Sequence, residues 1–244
     1  MKILLLDIET SPNLATVWNI FKQYVGVHNL LESSYTLCWS ARWLGEDVTY
    51  FDSIHRSRRK SMIKRIHALL DEADAVVHYN GTKFDIPTLN KEFLLHGLTP
   101  PSPYKQIDLL KTVRKQFRFP SNKLDYVAKQ LKLPYQKKEV DHQLWLDCMN
   151  KDPEAWEKME DYNIGDIEVL EALYYKLRPW ITGHANLSVY NGTLCCPTCG
   201  SHSHQKRGYA YTANRKYQRR RCKDCGTWFR EVENLSPKEK FVHV

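Results

Sequence analysis

The sequence contains no long hydrophobic run. Its longest apolar stretches fall far short of the about 20 residues that a membrane helix needs, which argues against a bilayer-spanning segment within the 244 residues. An export signal is missing by pattern as well. MKILLLDIET begins like one, but its apolar core is only a few residues long and acids follow at once. A cytoplasmic location is therefore the expectation. No internal repeat or low-complexity tract is visible, so a repeat array does not organise the chain. A disulfide framework is disfavoured too. Cys38 and Cys148 stand alone in apolar or helical surroundings and read as buried free thiols. The other five cysteines, Cys195, Cys196, Cys199, Cys222 and Cys225, crowd into the last fifth of the chain. An odd cluster without an export signal points to metal rather than to cystines.

What is present is ordinary in bulk and uneven in distribution. Hydrophobic residues at 42% and charged residues at 26% suit a globular protein, and the length allows one domain of usual size plus a small appendage. The net charge of +8 is segregated: residues 195–244 carry +7 and residues 1–194 only +1. A block of positive charge on a near-neutral body predicts a polyanionic partner, with nucleic acid the leading candidate. Nothing in the sequence names a protein partner.

Periodicity predicts an α/β domain. Residues 3–6 form a short apolar strand. SYTLCWSARW and DVTYFDS alternate apolar and polar residues around Gly45-Glu46 and read as a hairpin. Residues 61–74 and 85–97 carry helical spacing, with the buried strand AVVHY between them and Gly97 ending the second helix. Residues 104–110 are a strand candidate ending near Asp108. Residues 123–132, 141–149 and 153–177 read as helices. Strands first in a meander and then alternating with helices predict a mixed sheet. The expected division is a domain over 1–182, a linker over 183–194, a cysteine-rich module over 195–232 and a tail over 233–244.

Acidic residues recur at three places in this pattern. Asp7 and Glu9 flank Ile8 at the end of the first strand, so both carboxylates project from one face. Two such charges repel unless a cation lies between them. The alternative is an edge strand running into a polar turn, and Ser11-Pro12 supplies turn residues. Asp85 opens the helix after AVVHY, where an acid often serves as a cap, yet loops leaving strand ends are also where α/β sheets bind ligands. Tyr162 and Asp166 lie one turn apart on the long helix, and Asp166 borders its apolar stripe.

DIET, NGTKFDIP and YNIGD, in that order, resemble the three exonuclease motifs of the DnaQ-like superfamily. The resemblance covers roughly residues 1–180. Tyr162, with Asp161 where a sister subtype has histidine, matches the DEDDy type, as in exonuclease domains of family B DNA polymerases and stand-alone phage and bacterial relatives. SYTLCWSARWLGE also resembles the second-strand region of phage-encoded relatives, for which the location would be the host cytoplasm. The resemblance implies a ribonuclease H-like mixed five-stranded sheet flanked by helices. It also implies 3′–5′ exonuclease activity, most simply on DNA rather than RNA. Asp7, Glu9, Asp85 and Asp166 become the acids that hold two Mg²⁺ or Mn²⁺ ions, which suit hard oxygen ligands. Tyr162 becomes the residue that orients the attacking water, because a phenol with a pKa near 10 is a poor base at neutral pH. Asn80 and Phe84 are candidates to touch the terminal nucleotide, with Phe84 equally suited to the core. Asp108 reads as a strand-end or cap residue. A structure-selective endonuclease, a ribonuclease on the same site and a non-catalytic nucleic-acid-binding protein are the other readings.

In the tail, Cys196-Pro-Thr-Cys199-Gly and Cys222-Lys-Asp-Cys225-Gly are two C-x2-C knuckles separated by 22 residues. Together they predict one structural Zn²⁺ in a four-cysteine zinc ribbon. The pattern leaves open whether Cys195 or Cys196 is the ligand, and His202 and His204 are not needed. Basic and aromatic residues interleave between the knuckles. Arg207, Tyr209, Tyr211, Arg215, Lys216, Tyr217, Arg219, Arg220, Arg221 and Lys223 are the candidates for nucleic-acid contact, followed by Trp228. CPTCGS and YQRRRCKDCGTWF resemble the zinc ribbons of insertion-sequence transposases, which implies DNA binding over about 35 residues.

Overall fold

The computed structural model describes residues 1–21, 23–135 and 140–237. The chain divides into two compact units, Lys2–Tyr174 and Tyr175–Val244. Among the described residues no helix is long and apolar enough to cross a membrane.

The first unit is built on β1 (Ile3–Thr10), β2 (Thr36–Trp43), β3 (Thr49–Ser53), β4 (Ala75–His78) and β5 (Lys105–Asp108), joined in the order β3-β2-β1-β4-β5. β1, β2 and β3 pair antiparallel, as the expected hairpin requires, whereas β4 lies parallel to β1 and β5 parallel to β4. The mixed five-stranded sheet is thus present. α1 (Arg59–Glu72) and α2 (Asp85–Leu95) join the parallel strands. α3 (Leu109–Gln116), α4 (Leu124–Gln130), α5 (Gln143–Met149) and α6 (Pro153–Leu177) follow.

The period of two in β1 aims alternate residues at the two faces of the sheet, each of which carries a core. Leu4, Leu6 and Ile8 pack with Met62, Ile63, Ile66 and Leu70 of α1 and with Leu89 and Phe93 of α2. Cys38 of β2 packs on the other side with Leu144 and Cys148 of α5 and with Trp156, Met159 and Tyr162 of α6. Asp7 and Glu9 alternate with the first set and pair in register with Ser40 and Cys38. β4 is buried at all four residues, as befits a strand with parallel neighbours on both sides.

Two local features refine this picture. The strand candidate over 104–110 ends at Asp108, because the Asp108 side chain accepts from the N–H groups of Leu110 and Lys111 and starts α3 at once. The segment after β1 contains a short antiparallel ladder, Leu14–Ala15 against Leu30–Glu32. Trp18, Ile20, Phe21 and Tyr24 are largely exposed in it.

In the second unit, α7 (Leu187–Asn191) occupies the stretch read as a linker. β6 (His204–Tyr211), β7 (Lys216–Cys222) and β8 (Trp228–Arg230) form an antiparallel sheet in the order β8-β7-β6. Of the expected tail, residues 238–244 lie outside the described residues.

Candidate metal centre and cysteine-rich module

Asp7 and Glu9 stand at the end of β1, on the face that α6 covers. Ligand oxygens of Asp7, Glu9 and Asp166 all lie within 4.8 Å of one another. Asp166 is 2% exposed. Three carboxylates so close repel strongly unless protonated or bridged by a cation, and their hard oxygens suit Mg²⁺ or Mn²⁺. The donor set therefore fits a divalent ion.

Asp85 is not in that cluster but touches its backbone. Its Oδ1 accepts from Ile8 N at 3.2 Å, between the two β1 acids. It is the first residue of α2, and Phe84 occupies the cap position without a side-chain cap bond. The expected cap role is thus replaced by a tie across to β1. Burial pushes the Asp85 carboxyl up to about 7, although the N–H groups of Asp85 and Ile8 pull the other way.

The turn that delivers Asp85 is tightly determined. Asn80 takes a left-handed φ of 70° and donates its N–H to Asp108 Oδ1 at 3.0 Å. Gly81 N donates to His78 Nδ1 at 3.0 Å, and a Cβ on Gly81 would lie 2.4 Å from His78 Cγ. Only glycine fits there. Burial lowers the His78 pKa, which agrees with a neutral ring accepting at Nδ1. Phe84 is 43% exposed, so the core role considered for it does not apply.

Tyr162 is buried and faces a cleft of about 820 Å³ lined also by Tyr79, Asn80, Arg114, Asn122, Lys123 and Trp145. Tyr162 and Asn80, which belong to separate motifs, thus line one cleft. Two residues outside the predicted set hydrogen-bond to the acids. Asn163 Nδ2 donates to Asp7 Oδ2 at 2.7 Å, while its backbone carbonyl accepts from Ser40 Oγ at 2.7 Å. Its place three residues before Asp166, on one helix face, was the available signal. Trp145 Nε1 donates to Glu9 Oε2 at 3.1 Å. Nothing local marks Trp145, because α5 is remote from β1 in sequence.

In the second unit the sulfurs of Cys196, Cys199, Cys222 and Cys225 lie within 4.8 Å of one another. Cys196 and Cys225 are 3.7 Å apart, and Cys199 and Cys222 3.6 Å. Those spacings are far longer than a disulfide. They match the about 3.8 Å edge of a sulfur tetrahedron around zinc with bonds of about 2.3 Å. The knuckles repeat each other: Cys196 N donates to Ser201 O and Cys222 N to Thr227 O, with left-handed Gly200 and Gly226 closing the turns. The four-cysteine cluster is compatible with a zinc ribbon, and it contains Cys196 and not Cys195.

The sheet register divides the basic and aromatic candidates between two faces. Tyr209, Tyr211, Lys216 and Arg220 share one face. Lys216 Nζ lies 3.8 Å from the Tyr209 ring centroid, and Arg220 pairs with Glu231. Arg219 and Arg221 share the other face with Trp228, which is 51% exposed. Their guanidinium carbons lie 5.0 and 5.9 Å from its ring centroid. Tyr217 is 5% exposed beneath Arg230, which removes it from the surface expected for stacking. Arg207, Arg215 and Lys223 are exposed.

Comparison with curated proteins gives no match. Among solved structures, the chain is similar to the family B DNA polymerase from the hyperthermophilic archaeon Pyrobaculum calidifontis, with a TM-score of 0.54 at 16% identity. The match covers 73% of this chain and 24% of the polymerase chain, so the likeness is one of fold over about a quarter of that protein. The family model of the RNase_H superfamily matches residues 4–178, more than half of the sequence. Its sheet order, its acid cluster and this match agree: the chain belongs to the RNase H superfamily.

Proposed function

We propose that the protein is a divalent-metal-dependent nuclease, acting as a 3′–5′ exonuclease on DNA, with the cysteine-rich module as a zinc ribbon that grips nucleic acid. The observation that carries this reading is the convergence of Asp7, Glu9 and Asp166 within 4.8 Å in an RNase H-superfamily fold. Asp7, Glu9 and Asp166 hold the cations, with Asp85 completing the set from α2. Cations bound there supply Lewis-acid activation of water and neutralise charge at the leaving oxygen. The chain's own residues do the rest. Tyr162 presents a phenol that positions a water by hydrogen bonding. Arg114 and Lys123, on the wall of the same cleft, attract the phosphate backbone. Asn80 and the exposed Phe84 ring flank the terminal nucleotide.

The domain over 1–182 cleaves, and the ribbon over 195–232 supplies sequence-tolerant affinity through Arg219, Arg221 and Trp228. The DIET, NGTKFDIP and YNIGD motifs support the exonuclease reading, and the fold shared with a family B DNA polymerase is consistent with it. The test uses DNA and RNA oligonucleotides labelled at either end, with Mg²⁺ or Mn²⁺. Stepwise release from the 3′ end that is lost in Asp7→Ala and Asp166→Asn is the expected result. Cutting of circular single strands would replace it with an endonuclease, and undiminished activity in both variants would refute the site.

A further inference from the structure

The geometry points to Trp145 as a positioning residue: its indole N–H orients Glu9 for a shared divalent cation, and its ring seats Tyr162. This inference rests on the metal-site reading above and extends it to a residue outside the three motifs.

Two independent contacts carry it. Trp145 Nε1 donates to Glu9 Oε2 at 3.1 Å. The same ring meets Tyr162 edge-on, with centroids 5.8 Å apart and planes at 77°. One side chain on α5 therefore touches both a candidate ligand from β1 and the motif tyrosine from α6. Trp145 also stands between two clefts. On one side is the cleft of about 820 Å³ containing Tyr162 and Asn80; on the other is one of about 390 Å³ containing Glu9, Thr10, Ser11 and Pro12.

The chemistry of the donor matters. Clustered carboxylates need partners that fix their rotamers. A lysine or arginine would do so by adding positive charge that competes with the incoming cation. An indole N–H is neutral: it occupies one lone pair of Glu9 and leaves the negative charge available to metal. Asn163 does the same for Asp7 at 2.7 Å. Glu9 has one more rotatable bond than Asp7, so it loses more order when released, and its donor has more to hold. Outer partners of this kind typically change metal affinity or activity by about 10–100-fold when removed.

The experiment measures Mn²⁺ binding to the full-length, zinc-loaded protein by electron paramagnetic resonance, beside oligonucleotide cleavage. Trp145→Phe retains an aromatic ring against Tyr162 and deletes the N–H. It should weaken Mn²⁺ binding by about 10–100-fold. The Mn²⁺ concentration that half-saturates cleavage should rise by the same factor, a larger change than any in the rate at saturating Mn²⁺. Trp145→Ala should lower that saturated rate as well, because Tyr162 loses its wall. In a Glu9→Ala background the Trp145→Phe change should no longer affect Mn²⁺ affinity. Parental Mn²⁺ affinity in Trp145→Phe, or an equal loss with Glu9 already removed, would overturn the inference while leaving the metal site standing. Absence of Mn²⁺ binding by the parent protein would overturn the metal site and this inference together. Should Trp145→Phe fail to fold by circular dichroism, benzothienylalanine at position 145 preserves the bicyclic shape without the N–H and carries the same predictions.

Discussion

Replacing Asp85 by asparagine should make the protein more stable and less active, and the gain should depend on pH. In the metal-free protein, burial holds the Asp85 carboxyl at about 7 against an ordinary 3.8. A carboxyl whose folded pKa exceeds its unfolded value contributes its full stability below about 4. That stability drains away as pH rises towards 7, because the unfolded chain releases its proton first. At about 1.4 kcal/mol for each pH unit, the loss between pH 4 and pH 8 approaches about 4 kcal/mol. The amide of the Asp85→Asn variant would keep an acceptor for Ile8 N and never ionise, so it escapes the decline. Relative to pH 4.5, Asp85→Asn at pH 8 should therefore gain about 3 kcal/mol, or roughly 6–12 °C in Tm for a protein of this size. Urea unfolding followed by tryptophan fluorescence from pH 4.5 to 8 reads the difference. The buffer should lack Mg²⁺ and Mn²⁺ while zinc stays bound. Adding Mg²⁺ at pH 8 should stabilise the parent more than the variant, and the variant should lose cleavage. Parallel stability curves for the two proteins across this pH range would refute the reasoning.

Other perturbations test separate parts. Gly81→Ala forces a Cβ to 2.4 Å from His78 Cγ and should cost about 1–3 kcal/mol in denaturant unfolding, with the Asn80–Asp85 turn displaced. Elemental analysis should find one zinc per chain; Cys222→Ser should lose it, while Cys195→Ser should retain it because Cys195 stands outside the cluster. Arg219→Ala and Arg221→Ala should each weaken nucleic-acid binding and reduce the slope of log affinity against log salt by about 0.7–0.9, measured by fluorescence anisotropy. Trp228→Ala should weaken binding with little change of slope.

Much of this organisation can be read in the linear chain because its signals are local. The run of Ile3 to Leu6 before Asp7 and Glu9, and the C-x2-C spacing of the knuckles, each require only neighbours along one strand or turn. α6 spans the 153–177 that its periodicity predicts. Asp108 reads as a strand end or cap and serves as both, but the start of α3 at Leu109, inside the 104–110 strand candidate, falls where strand and helix patterns overlap. The ribbon residues illustrate the same limit: Tyr217 looks like a stacking residue in sequence, but its place in β7 turns it beneath Arg230.

The sequence by itself determined the strand-borne pair Asp7 and Glu9, the helix-borne Tyr162 and Asp166, and the two cysteine knuckles. Periodicity of two or 3.6 residues is enough to place side chains on a common face. Only the tertiary structure decided which acids share one cluster and which do not. Asp166 joins Asp7 and Glu9, whereas Asp85 lies outside that cluster and accepts from Ile8 N. It also decided that Trp145 and Asn163 hold the β1 acids, and that Cys196 rather than Cys195 completes the sulfur tetrahedron. Those choices depend on how α2, α5 and α6 pack on the sheet and how the knuckles turn, and contacts between segments remote from each other in sequence leave no periodic trace in the chain.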